Sequence, residues 1–202
     1  MAIFSVGLGN VFAIVQTNIR RLFAYSAISH MGFVTFGILV ANSAGYSASV
    51  YYILVYVIMT LAAFGLLTLM SRDGLEVEQI DDLKGLNQRN PWAAAMMMIV
   101  LFSFAGVPPT AGFFIKLAVL KVLIDAHYIG VDIMAVLFAV IGAFYYIKII
   151  KVMYFDSSSE KTALTLGSKT LQYVYSLNCL SLLYFGLFPT GLMSLCANIW
   201  LS

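Results

Sequence analysis

Six long apolar stretches constrain the fold of this chain more than any other feature of its sequence. They span about residues 2–15, 22–41, 49–70, 92–126, 132–154 and 171–196. Most of them approach the roughly 20 residues that a helix needs to cross the hydrocarbon core of a bilayer. We therefore predict an all-α, polytopic membrane helix bundle of about six spans, forming a single membrane domain over residues 1–202.

The scarcity of charged residues supports a membrane location. Only 10% of the 202 residues are charged, against about 25% in soluble domains, and 62% are hydrophobic. A chain of this composition has too little polar surface to remain in water. Soluble enzymes are therefore excluded, and nucleic acid is excluded as a partner.

The fourth apolar stretch, 92–126, is too long for one straight crossing. About 33 helical residues measure roughly 50 Å, whereas the hydrocarbon core is about 30 Å thick. Pro109 lacks an amide hydrogen, and its ring disfavours the helical conformation at Pro108. Thr110 is a candidate N-cap for the helix that resumes after the prolines. We predict a discontinuous helix that is broken at Pro108 and Pro109.

The positions of the basic residues indicate whether this stretch crosses the membrane once or twice. With one net crossing, the connections at 42–48 and 127–131 lie on one side and contain no Lys or Arg. The other side then carries Arg20, Arg21, Arg72, Lys84, Arg89, Lys148, Lys151, Lys161 and Lys169. Two crossings would move the last four lysines to the opposite face. The positive-inside rule thus favours one net crossing made of two half-helices.

The connection at 71–91 is the one long polar segment of the chain. It contains five acidic and three basic residues, and such a mixture of signs is typical of a solvated surface loop. We predict such a loop here, with a short helix around residues 78–86.

Lys116 lies about six residues into the second half-helix. A lysine ammonium in hydrocarbon costs at least about 2.5–3.5 kcal/mol, so it needs contact with water, a partner or a proton path. Desolvation and the positive N-terminal end of its own helix both favour the neutral amine. Broken spans that carry an ionisable group are common in ion and proton transporters. A proton relay and a structural lysine that snorkels or forms an inter-helix salt bridge both fit this position.

Other polar groups within the spans also have two interpretations. His30 lies about ten residues into the second span, where it can pass protons or pack as a hydrogen-bonded side chain. Lys121 and Asp125 have the spacing of an i,i+4 ion pair at the membrane interface. Several tyrosines have hydroxyls that can bond within a wet channel, although packing is their default role: Tyr51, Tyr52, Tyr56, Tyr145 and Tyr146.

The sequence contains no motif for a cofactor, metal or redox site. There is no phosphate-binding loop, haem ligand set or iron–sulfur cysteine spacing. Cys179 and Cys196 lie about 25 Å apart along one predicted helix, too far for a disulfide. We therefore predict no catalytic residue, no metal ligand and no cofactor-binding residue in this chain.

Two segments of the sequence resemble a known family. The segment 16–33, QTNIRRLFAYSAISHMGF, is similar to the entry into the tenth helix of antiporter-like subunits. The segment 106–116, GVPPTAGFFIK, is similar to their broken twelfth helix. Such subunits occur in respiratory complex I, the proton-pumping NADH:quinone oxidoreductase, and in multisubunit sodium/proton antiporters. Lys116 followed by Leu117 is most similar to the N-type branch, because other branches usually have Glu or Lys-Asp there.

This resemblance implies a role for the two ionisable residues within the spans. Lys116 would be the relay lysine of the second half-channel, near the outer side, and His30 would belong to a polar axis through the middle of the membrane. The partners would be other membrane subunits of complex I, in a bacterial or mitochondrial inner membrane. NADH, FMN, iron–sulfur clusters and quinone would be bound by those other subunits.

The resemblance covers only the C-terminal part of such a subunit. We therefore expect a fragment, the product of a split gene, or a truncated remnant without function. A subunit of a cation/proton antiporter or of a membrane hydrogenase is the alternative within the same superfamily.

Overall fold

The computed structural model describes residues 1–71, 77–157 and 169–199, and the regular structure in these ranges is entirely helical. The helices are α1 (Ala2–Ile14), α2 (Ile19–Leu39), α3 (Ser43–Ser71), α4 (Leu86–Arg89), α5 (Pro91–Ala105), α6 (Ala111–Asp125), α7 (Ile129–Phe155), α8 (Lys169–Leu187) and α9 (Pro189–Asn198). The prediction of an all-α membrane bundle is confirmed.

Three of these helices, α2, α3 and α7, are long and apolar enough to cross a membrane alone. The bent pair α8 and α9 forms a fourth candidate span, while α1 and α5 are shorter apolar helices. The six apolar stretches of the sequence thus correspond to α1, α2, α3, α5 with α6, α7, and α8 with α9.

The last apolar stretch is not the single helix that we predicted over 171–196. It bends by 81° between α8 and α9. Phe188 has a non-helical backbone (φ −125°, ψ 63°), and Pro189 occupies the first turn of α9, where its missing N–H does no harm. Cys179 and Cys196 therefore lie on different helices, and our prediction that they share one helix was wrong. Both cysteines are free.

Backbone hydrogen bonds define one end of the bundle. The Ile19 N–H at the start of α2 donates to the Glu78 carbonyl at 2.8 Å. The Gly85 N–H donates to the Val152 carbonyl near the end of α7 at 3.3 Å. Basic residues of the described chain gather in the elements at this end, which we call the basic end: Arg20, Arg21, Lys84, Arg89, Lys148, Lys151 and Lys169. Arg72 and Lys161, which we also predicted here, lie outside the described residues.

The broken helix runs from the basic end to the opposite end. At the beginning of α5, the Trp92 side chain donates to the Ser176 hydroxyl on the first half of α8 at 2.9 Å. At the end of α6, Asp125 lines the same cavity as Ser43, the first residue of α3. The two half-helices together therefore extend from one end of the described bundle to the other, which is the arrangement expected of one net crossing.

The polar connection before α5 is better packed than we predicted. Instead of one helix around 78–86, it forms a 3₁₀ turn at Ile80–Leu83 and the short α4, separated by Gly85 in the left-handed region at φ 63°. Ile80, Leu83, Leu86 and Arg89 are buried. Lys84 remains partly exposed, and its hydrogen bond and ion pair with Asp81 at 2.9 Å raise the pKa of the lysine. Segment 72–76 lies outside the described residues.

Candidate functional site

The break between α5 and α6 begins with a glycine-closed helix end. Gly106 has φ 82°, a conformation that glycine adopts without strain. The N–H groups of Gly106 and Val107 both donate to the Phe102 carbonyl at 3.0 Å. This arrangement closes the last turn of α5 in the manner of a glycine C-cap. The discontinuity that we predicted at Pro108 and Pro109 is present between Gly106 and Thr110.

Thr110 is the N-cap residue of α6, as predicted, but its side chain does not cap the helix. Its hydroxyl instead donates to the Val107 carbonyl at 2.7 Å, which holds the turn between the half-helices together. Pro108 and Pro109 are exposed. Because prolines have no N–H, their exposure leaves no backbone donor unsatisfied at this depth of the membrane.

The inner side of the break is packed closely against two helices. The Gly112 N–H donates to the Ser103 hydroxyl at 3.1 Å, and a Cβ atom on Gly112 would overlap the Ser103 carbonyl. Gly186 of α8 lies against the Pro109 carbonyl and the Ala111 amide, again with no room for a Cβ atom. The close approach of these glycines fixes where α6 starts relative to α5.

The Lys116 side chain provides hydrogen-bond donors for the C-terminal end of the preceding half-helix, α5. Its Nζ donates to the carbonyls of Phe104 and Ala105 at 2.9 and 3.0 Å. The last carbonyls of an α-helix have no partner within the helix, and they form the negative end of its dipole. Lys116 therefore lies between the start of its own half-helix and the end of the previous one, whose dipoles act on the ammonium in opposite senses.

The structural roles that we considered for Lys116 are not the ones observed. The residue is only 9% exposed, so it does not snorkel. Within the described ranges it has no acidic partner, and its Nζ lies 5.9 Å from the centroid of the Phe33 ring. A buried ammonium held by two backbone carbonyls and an aromatic ring is stabilised without a fixed counter-charge.

His30 is also buried, and both of its ring nitrogens have hydroxyl partners. Nδ1 shares a hydrogen bond of 2.7 Å with the Tyr52 hydroxyl on α3, and Nε2 shares one of 3.2 Å with the Tyr146 hydroxyl on α7. The Tyr146 hydroxyl also forms a short hydrogen bond with the Ser26 hydroxyl. His30 therefore joins three helices through groups that can both donate and accept protons.

The polar groups continue from Tyr146 towards α1. The Tyr145 ring lies with its centroid 4.4 Å from that of Tyr146, and its hydroxyl donates to Asn10 Oδ1 at 3.0 Å. Asn10 Nδ2 in turn donates to the Phe138 carbonyl at 2.9 Å. We did not single out Asn10 or Ser26 from the sequence, although an Asn within the apolar stretch 2–15 was a visible signal.

A small cavity brings His30 and Lys116 together. Both side chains line it, along with Asn10, Ser29 and Tyr145, and it has room for about one water molecule. A water molecule there would have several polar partners. The arrangement can therefore connect the ammonium of Lys116 with the hydroxyl network around His30.

Lys121 and Asp125 do not form the ion pair that we predicted; the described part of the chain contains none between them. Both are exposed, so water competes for each charge, and their side chains line a second cavity at the end opposite the basic end. In the described ranges, no group of His, Cys, Asp and Glu residues is arranged to hold a metal ion.

Comparison with known proteins places this arrangement in a family. Residues 1–145 match the model of the NADH:quinone oxidoreductase/Mrp antiporter transmembrane family. The chain is 50% identical to NADH-quinone oxidoreductase subunit N of Nitrosomonas europaea over 195 residues, which are 96% of this chain and 40% of that subunit. It thus spans about two fifths of the length of the curated relatives it matches.

Solved structures share the fold. A chain of respiratory complex I from Thermus thermophilus aligns with a TM-score of 0.80 at 26% identity, over 96% of this chain and 43% of that one. A chain of the Mrp complex from Dietzia sp. aligns with a TM-score of 0.84 at 18% identity, over 97% of this chain and 45% of that one. The second similarity concerns the fold alone.

Proposed function

Because the chain belongs to the NADH:quinone oxidoreductase/Mrp antiporter family of membrane proteins, we propose that it forms part of a proton-translocating membrane subunit of complex I. Identity of 50% to a subunit N supports complex I over a cation/proton antiporter, since the chain of the Mrp complex is only 18% identical. The competing hypotheses are a membrane-hydrogenase subunit and a truncated remnant without function. The bacterial relatives favour the cell membrane of a bacterium as the location.

The buried ammonium of Lys116 is the observation that carries this proposal. It has no acidic partner in the described chain, lies at a helix break and lines a cavity with His30. The neutral amine would accept a proton through water in the cavity, and the Phe104 and Ala105 carbonyls would hold the resulting ammonium. Release towards the end opposite the basic end would then complete the second half of a proton path.

His30 would supply the connection between Lys116 and the rest of the path. Its two nitrogens bond Tyr52 and Tyr146, so a proton taken up at one nitrogen can be matched by release from the other. The hydroxyls of Ser26, Tyr52 and Tyr146 can rotate and exchange donor and acceptor roles. This part of the subunit would therefore conduct protons without redox chemistry of its own.

The energy would come from other subunits. NADH, FMN, iron–sulfur clusters and quinone would be bound elsewhere in the assembly, and this chain would contact other membrane subunits of complex I and the lipid bilayer. Changes in the hydration of the cavity and in the charge of Lys116 would couple the redox reaction to proton movement.

Replacing Lys116 in the complete subunit tests the proposal. We expect Lys116→Ala, in an assembled complex reconstituted into vesicles, to slow proton movement by about 10²-fold, the lower range for loss of a general acid–base group. NADH oxidation and intravesicular acidification would be measured together. Lys151→Ala, an exposed lysine at the basic end, is the matched control. Unchanged proton pumping in an assembled complex with Lys116→Ala would exclude Lys116 as a proton relay.

A further inference from the structure

A second cavity, of about 370 Å³, lies at the end of the bundle opposite the basic end. Its walls are the beginning of α3, the second half of α6 and the end of α9. It lies where α3 begins and α6 ends, at the boundary of the apolar spans. Nothing in the proposed proton relay uses this cavity.

The cavity carries one positive and one negative charge that do not neutralise each other. Lys121 and Asp125 lie one turn apart on α6, and both line the cavity. Between them the described chain has no ion pair, although their spacing allows one. A ligand that carries both charges would satisfy the two side chains together.

The rest of the cavity is mainly apolar. Ala48 on α3, Val122 on α6 and Met193 on α9 provide side chains that favour hydrocarbon. Ligand sites commonly combine a mostly apolar wall with a few convergent polar groups. The occupant should thus be an amphipathic molecule with an anionic and a cationic group, of a kind that a bilayer supplies.

We propose that this cavity binds the headgroup of a zwitterionic phospholipid with a primary ammonium, of the phosphatidylethanolamine class. Lys121 donates to the phosphate, and Asp125 accepts from the ammonium. The acyl chains lie against Val122 and Met193. A trimethylated headgroup has no N–H to donate to Asp125, and the headgroup of phosphatidylglycerol has no cation to place beside it.

Photolabelling of the assembled complex tests this site. The complex is depleted of lipid in detergent and mixed with vesicles that contain a photoreactive phosphatidylethanolamine, and labelled peptides of α6 and α9 are measured by mass spectrometry. We expect unlabelled phosphatidylethanolamine to compete at concentrations about tenfold below those of phosphatidylcholine or phosphatidylglycerol, the effect of one charge-assisted hydrogen bond. This comparison needs no variant.

Substitutions then assign the residues. Lys121→Gln and Asp125→Asn should each lower the labelling, while Lys151→Gln at the basic end should leave it unchanged, all in complexes that assemble normally. Equal competition by the three lipids, or undiminished labelling of the Lys121→Gln and Asp125→Asn variants, would overturn the proposal. Absence of labelling because another protein segment fills the cavity would overturn it as well.

Discussion

Individual residues in this chain depend on partners that are distant in the sequence. Lys116 bonds carbonyls of the preceding half-helix, and Tyr145 on α7 bonds Asn10 on α1. The Tyr146 hydroxyl is shared between His30 and Ser26. Because each of these buried polar groups has a named partner, the loss of one hydroxyl leaves others unsatisfied.

Tyr146→Phe tests this dependence at the residue scale. The substitution leaves His30 Nε2 and the Ser26 hydroxyl without this partner, which should destabilise the protein by about 1–3 kcal/mol. Thermal unfolding in detergent would measure the effect. Tyr184→Phe, at an exposed tyrosine of α8, is the matched control, and we expect little change there. Equal unfolding temperatures for both variants would mean that the Tyr146 hydroxyl bonds contribute nothing measurable.

Some of the site could be predicted from the sequence. Lys116 and His30 were visible because ionisable groups are rare in apolar stretches. The hydrogen bonds of Asn10 with Phe138 and Tyr145 could not be predicted from the sequence, since they join residues far apart in the chain. Such contacts depend on how α1 and α7 are rotated about their axes, which the apolar pattern alone does not specify.

At the scale of elements, the broken helix is held in register by glycines. Gly112 brings the first turn of α6 against Ser103, and Gly186 brings α8 against the break. Lys116 reaches the Phe104 and Ala105 carbonyls because these close contacts set the distance between the half-helices.

Gly112→Ala should separate the half-helices. Its Cβ atom would overlap the Ser103 backbone, which cannot move as a flexible side chain would. We expect a loss of about 1–3 kcal/mol in unfolding free energy, the usual effect of overpacking. Less assembled complex should also be recovered. Both are measurable in detergent extracts.

Gly191→Ala on α9 is the control, because a Cβ atom there meets nothing within 4 Å. This variant should be neutral or slightly more stable, since alanine favours a helix more than glycine does. If Gly112→Ala behaved in the same way, the close packing of the break would not be needed.

The ends of helices could be predicted from the sequence where a proline or glycine determines them locally. The prolines after Gly106 break the fourth stretch, as predicted. The bend between α8 and α9 was missed, although Pro189 was visible, because a proline in the first turn of a helix is also compatible with a helix that continues. Beyond the 81° bend, α9 packs against α3 beside the second cavity.

The whole molecule is asymmetric in charge and shorter than its curated relatives. Basic residues gather at one end of the described bundle. Near the opposite end, α6 carries one basic residue, Lys121. The chain covers about two fifths of the curated relatives it matches. We therefore expect it to act with further helices, whichever polypeptide supplies them.

The charge asymmetry predicts the orientation of the molecule. By the positive-inside rule, the basic end faces the cytoplasm. In a background with Cys179 and Cys196 replaced by Ser, Lys151→Cys should react with a membrane-impermeant thiol reagent only in inside-out vesicles. His127→Cys, in the exposed connection before α7, should react only in right-side-out vesicles. Labelling of both cysteines from the same side would contradict a membrane span by α7, and the reverse labelling pattern would contradict the predicted orientation.

The most direct measurement of the central claim is the number of protons pumped per NADH oxidised by a complex with Lys116→Arg. Arginine keeps the positive charge and can donate to the Phe104 and Ala105 carbonyls, but it does not release a proton in proteins. We predict that the assembled variant pumps fewer protons per NADH than the wild type, as we also expect of Lys116→Ala. A wild-type ratio in the arginine variant would contradict the relay and assign Lys116 the purely structural role of holding the end of α5.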